Sequence, residues 1–180
     1  MGTFASNVVI LNIILRLLSL SSLEGLQTER SIREGEYWRE KALAAPRASY
    51  RKIHYYERSI QADPTTALAH LELAEVYFDL AISYGHRDLY ENAEKALKNA
   101  LEEDPFMVPA HYRLGMLYFL RGNFRKSRIE LEEAHRLDPE YLPAVNSLQM
   151  LRAEIHKKNE GVREWGISNF QCPNARLKVT

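Results

Sequence analysis

An all-α fold built from helix–turn–helix repeats is what this sequence predicts, on three observations. Asp-Pro pairs recur at Asp63-Pro64, Asp104-Pro105 and Asp138-Pro139, each closing a stretch with helical patterning. Proline fixes its own φ and pushes the residue before it out of the α region, so each pair is a helix stop. Pro105 and Pro139 stand 34 residues apart, the length of a repeating helical hairpin. Inside that interval the order is Leu114-Gly115, Tyr118, Gly122-Asn123-Phe124, Ser127, Leu131, Ala134 and Pro139.

At each of these spacings the interval resembles the tetratricopeptide repeat (TPR) family. The resemblance implies a right-handed α-solenoid of about three repeats plus a capping helix, covering residues 34–158. In that family the repeats present a groove and carry no chemistry of their own.

Taken along the chain, the elements divide as follows. Residues 1–28 read as an apolar N-terminal helix, aliphatic from Val8 to Leu20 except at Asn12, Arg16 and Ser19. As a cleaved leader it lacks basic residues before the apolar run and small residues after it. As a membrane anchor it has 17 residues from Phe4 to Leu20, the short end of a span, with Arg16 inside. Arg30, Arg33, Arg39 and Lys41 all lie downstream, which would leave the repeats in the cytoplasm. As an amphipathic helix packed on the scaffold it places its three polar residues on one face.

Ile53, Tyr56, Ser59 and Pro64 match the second helix of a first repeat, with Gly35 to Ala44 as its first helix, broken at Ala45-Pro46. Arg39-Glu40 stand where that helix should carry a Leu-Gly-like pair, as in an atypical terminal unit. In the second repeat Leu73-Ala74, Tyr77, Ala93, Leu97 and Ala100 hold the same places, but Pro64 and Pro105 are 41 residues apart. The seven extra residues fall between Phe78 and Leu89 and amount to about two helical turns. They predict two helices lengthened together and joined at Gly85-His86-Arg87-Asp88.

The third repeat predicts helices over Ala110–Leu120 and Phe124–Leu137 around a Gly122-Asn123 turn. Gly115 and Ala134 are small where the helices approach, and Tyr118 and Leu131 fill the space between them. Leu148, Leu151 and Ile155 place a capping helix over Leu142 to about Lys157, with Lys157-Lys158 suited to its C-terminal dipole. Residues 159–180 carry no periodicity and read as a flexible tail.

The composition excludes several function classes. Lys+Arg and Asp+Glu both number 24, without the basic excess or stripe of a nucleic-acid binder. Cys172 is the single cysteine, so no internal disulfide forms. His54, His86, His135 and His156 have no neighbours at metal-ligand spacing. His70 and His111, the fourth residues of their repeats, stand where the family often packs an aromatic residue. No phosphate loop, nucleophile elbow or zinc-peptidase motif is present, so neither catalysis nor a cofactor is expected.

The resemblance then implies where a ligand goes. In the family, first-helix positions line the concave face: here Leu68, Leu71, Glu75, Phe78 and Asp79, then Pro109, Tyr112, Met116, Phe119 and Leu120. Asn146, Met150 and Ala153 follow on the capping helix. Family members that grip chaperone C-termini hold a carboxylate with Lys and Asn. Leu71 and Glu75 stand at two such places and would not attract one, leaving Arg113 as a partial match. The expected ligand is an apolar or amphipathic peptide segment of another protein. The alternative is a membrane-anchored assembly factor whose repeats recruit parts of an envelope complex.

Overall fold

The computed structural model of the protein describes residues 24–47 and 49–169, with side chains up to residue 158. These residues form seven helices and no strand: α1 (24–44), α2 (Tyr50–Ala62), α3 (Ala67–Tyr84), α4 (Leu89–Glu103), α5 (Val108–Leu120), α6 (Phe124–Leu137) and α7 (Leu142–Asn169). They fall into two compact units that divide between Pro105 and Phe106.

The three Asp-Pro pairs end helices by one mechanism. Asp63, Asp104 and Asp138 cap α2, α4 and α6 at φ −133°, −134° and −139°, with ψ 92°, 92° and 97°. The proline that follows forbids each aspartate the α region. Each aspartate N–H still donates to the carbonyl four residues back, at 2.9, 2.9 and 3.0 Å, which closes the last turn.

The Asp63 carboxylate also orders the chain beyond. The Thr65 and Thr66 hydroxyls donate to it at 2.8 and 2.6 Å. These hydrogen bonds, Thr66 foremost, hold the Asp63 carboxyl below its ordinary value. A carboxyl depressed by folding stabilises at neutral pH, and the contribution is lost as the pH falls through about 4 and below. The stability gap between the wild type and Asp63→Ala, read by urea unfolding, is therefore expected to narrow from about pH 6 to about pH 3. A constant gap would contradict this origin.

In the second unit the repeat predicted from spacing is present. Helix α6 has the expected bounds, and α5 begins two residues before its expected start. Gly122, at φ 72°, sits just past the α5 cap. Its N–H donates to the Phe119 carbonyl at 2.9 Å, and the Asn123 N–H donates to that of Tyr118 at 2.9 Å. This pair of bonds is the Schellman stop, and it requires a left-handed residue. Asn123 then caps α6 by accepting from the Lys126 N–H at 3.3 Å.

Between the two helices, a Cβ on Gly115 would stand 2.7 and 2.9 Å from Leu131 Cγ and Cδ2. Leu131 and Ala134 are fully buried, so the glycine is what lets the helices approach. Helix α7 lays Leu148 and Leu151 against Leu131, with Tyr112, Phe119, Phe124 and Ile155 at the edge of this cluster.

Ser127 is fully buried in α6 and its hydroxyl has no hydrogen-bond partner among the described residues. Ala93 holds the same place in the preceding repeat. An unpaired buried hydroxyl costs about 1–3 kcal/mol, so Ser127→Ala is expected to stabilise by about 1 kcal/mol. A lowered urea midpoint would instead reveal a partner for the hydroxyl.

In the first unit the seven added residues distribute unequally, which corrects the expectation that both helices lengthen. Helix α3 has 18 residues against 13 in α5, while α4 has 15 against 14 in α6. Gly85, at φ 70°, fixes the stop of α3, so the insertion is absorbed before it.

Helix α1 runs from residue 24, across the expected boundary between 28 and 34, to the expected break before Pro46. Gly35 makes this continuity compatible with close packing. A Cβ there would lie 3.0 Å from Asp63 Cβ. Two serines bind the helices across the approach: Ser59 Oγ donates to the Gly35 carbonyl at 2.7 Å, and Ser31 Oγ to that of Ala62. Arg39 does not fill a Leu-like core place. Its Nε and Nη2 donate to Glu72 of α3 at 2.7 and 2.8 Å, a bidentate pair that is only partly exposed.

Helix α7 differs at its far end. It runs through 159–169, where a flexible tail was expected to begin. Gly161 lowers helix propensity by about 1 kcal/mol but is no stop, and the next proline is Pro173. Lys158 is accordingly not at a helix terminus, and its Nζ lies 5.4 Å from the Phe124 ring centre.

Candidate functional site

The residues expected to line a groove are set out here unit by unit. In the first unit all come from α3. Leu71 is 6 % exposed and belongs to the core, which corrects its place among ligand-facing residues. Apart from the stripe Glu72, Glu75 and Asp79, α3 buries a broad apolar arc (Leu71, Leu73, Ala74, Val76 and Leu80), too wide for pattern alone to assign Leu71 to an open face. Glu75 and Phe78 are half-buried, and Phe78 meets the Tyr90 ring edge-to-face at 5.9 Å. Leu68 is exposed, and Asp79 lies 3.8 Å from Arg47.

In the second unit α5 places Tyr112, Met116 and Phe119 at spacings of four and three, on one face of the helix. All three are half-buried. Tyr112 packs on Tyr141 at 5.6 Å, with the Arg113 guanidinium 5.7 Å from its ring, and Phe119 packs on Phe124 at 5.8 Å. Tyr112 and Phe119 thus support the α6–α7 cluster as well as bordering solvent. Leu120 is 50 % and Met150 56 % exposed, and Asn146 and Ala153 are exposed on the Met150 face of α7. This combination of rigid aromatic packing with accessible Leu and Met is an adaptable apolar surface.

The histidines at equivalent repeat positions differ. His111 Nδ1 lies 2.9 Å from Glu130 Oε2, whereas His70 is buried beside a cleft. Among the described residues no group of three or more His, Cys, Asp or Glu side chains is placed to hold a metal ion. No helix among them is long and apolar enough to cross a membrane, and the expected helix over residues 4–20 lies outside them. Spacing alone did not reveal the Arg39–Glu72 pair. Its signal was Arg39 itself, a charge at a place the repeat pattern reserves for an apolar residue.

Models of the tetratricopeptide repeat match residues 74–106 and 108–141. No curated protein matches the chain in sequence. Among solved structures, the first TPR domain of human RPAP3 is similar at TM-score 0.62 and 20% identity, over 71% of this chain and 96% of that one. The Sgt2 TPR domain from Aspergillus fumigatus matches at TM-score 0.61 and 18% identity, over 82% and 90%. The first TPR of Spaghetti (RPAP3), bound to the HSP90 peptide SRMEEVD, matches at TM-score 0.60 and 19% identity, over 69% and 95%. At such identities the likeness establishes fold: an all-α TPR solenoid. With two matched repeats, their Asp-Pro stops and the Gly115–Leu131 approach, the chain is a tetratricopeptide repeat protein.

Proposed function

We propose that this protein is a non-catalytic interaction scaffold that holds an apolar or amphipathic segment of a partner protein on the α5–α7 face. The observation that carries the reading is the accessibility of Leu120 and Met150 beside half-buried Tyr112, Met116 and Phe119. Such apolar side chains gain by leaving water, at roughly 25 cal/mol per Å² buried. Similar TPR domains occur with bound peptides, as in the HSP90 peptide complex, which supports a peptide as ligand. That peptide is acidic, and Glu75 with buried Leu71 gives α3 no charge to hold a carboxylate.

The test is selection of a random peptide display library on the full chain. Selected sequences are expected to be apolar or amphipathic. Their binding is expected to vanish in Leu120→Arg/Met150→Arg while the helical circular dichroism stays unchanged. Selection of acid-terminated peptides indifferent to those changes would overturn the reading.

A further inference from the structure

The second and third repeats place a histidine at the same position, His70 and His111, and what stands opposite the two rings differs. In the second unit the ring of His111 is answered by the Glu130 carboxylate across the α5–α6 interface. Glu130 lies nine residues before Pro139, and the residue nine before Pro105 is Ala96. His70 is 8 % exposed, and with Ala96 at that place no α4 carboxylate answers its ring as Glu130 answers His111. The space beside His70 is a cleft of about 370 Å³ between α2, α3 and α4. That volume lies in the range of small-ligand sites.

The lining is chemically biased. Ile60, Leu73 and Ala96 give it an apolar floor. Asn92, Lys95 and Asn99 lie along one side of α4, at spacings of three and four, and Gln61 comes from α2. Primary amides can each donate to and accept from a peptide backbone, and Lys95 supplies a positive charge. Glu57 is the one carboxylate at the rim, and it faces Tyr77: burial first, then the Glu57 charge and its hydrogen bond, raise that phenol above its ordinary range.

We infer that the cleft between α2, α3 and α4 is a second peptide site, taking an extended partner segment with one acidic side chain. The ligand carboxylate takes at His70 the place that Glu130 takes at His111, with Lys95 as counter-charge. Asn92, Asn99 and Gln61 hold the main chain on either side. This site lies between the second helices of unit 1 and is separate from the apolar face on α5 and α7, so either can fail without the other.

The experiment is an NMR titration of the labelled full chain with the blocked heptapeptide acetyl-ASAEASA-amide. The ring signals of His70 and the side-chain amides of Asn92 and Asn99 are expected to shift together and saturate. The Gln counterpart, acetyl-ASAQASA-amide, is expected to bind about tenfold more weakly, the loss of one charge-assisted hydrogen bond. Ala96→Glu, which restores the carboxylate of the sister repeat, should abolish the shifts. Lys95→Glu, at an exposed position that does not threaten folding, should do the same. No shift with the Glu peptide, an equal response to the Gln peptide, or binding retained in Lys95→Glu would each overturn the inference. So would equal binding of free glutarate, which would make the cleft a small-acid site.

Discussion

Replacing Leu131 with alanine is expected to lower the unfolding free energy by about 2–5 kcal/mol. The side chain is fully buried, lies over Gly115 and meets Leu148 and Leu151 of α7, so its removal leaves a void bounded by three helices. Gly115→Ala should also destabilise. Its new methyl would overlap Leu131, an overpacking cost of about 1–3 kcal/mol, offset by about 1 kcal/mol of helix propensity. The two changes together should cost less than their separate effects by about 1 kcal/mol or more, because the methyl enters the void. Urea unfolding of the four variants measures this coupling. Strict additivity would show that Gly115 is present for some reason other than the approach of α6.

The second large effect is expected at Glu72. Arg39 reaches it with two short hydrogen bonds from a position only partly open to water. Glu72→Ala strands that guanidinium, at a cost of about 1.5–3 kcal/mol for a charged hydrogen-bonded group. Removing both charges in Arg39→Met/Glu72→Leu should recover most of the loss, because desolvation offsets much of what an ion pair gains. Thermal unfolding of the single and double variants decides the matter. A double variant no better than Glu72→Ala would show that the pair contributes net stability that apolar packing cannot replace.

What the sequence makes legible is what short-range chemistry dictates. The Asp-Pro stops, the Gly122 turn and the Gly115–Leu131–Ala134 packing follow from local rules, and the third repeat was readable almost residue by residue. The second repeat was readable in its small and apolar places but not in where its insertion goes. Apolar phase is preserved whether one helix or both lengthen, and only the left-handed Gly85 decides.

The sequence pattern places a helix start at Gly35, whereas in three dimensions that glycine lies inside α1 and is a contact with α2. The candidate face was legible as a list of positions, but the burial of each was not. Leu71 is enclosed and Leu120 open although both are leucines on first helices, because exposure depends on which helices pack alongside. The empty place beside His70 required knowing that Glu130 reaches His111, and spacing alone does not say which side chains meet.

Hydrogen exchange of the full chain, with and without a selected apolar peptide, tests most directly where the scaffold holds its ligand. Amides of α5 and of residues 142–153 in α7 are expected to slow on binding, while those of α2 and α4 keep their rates. Slowing confined to α2 and α4, or none in α5, would contradict a ligand seated beside Tyr112, Met116, Phe119 and Met150.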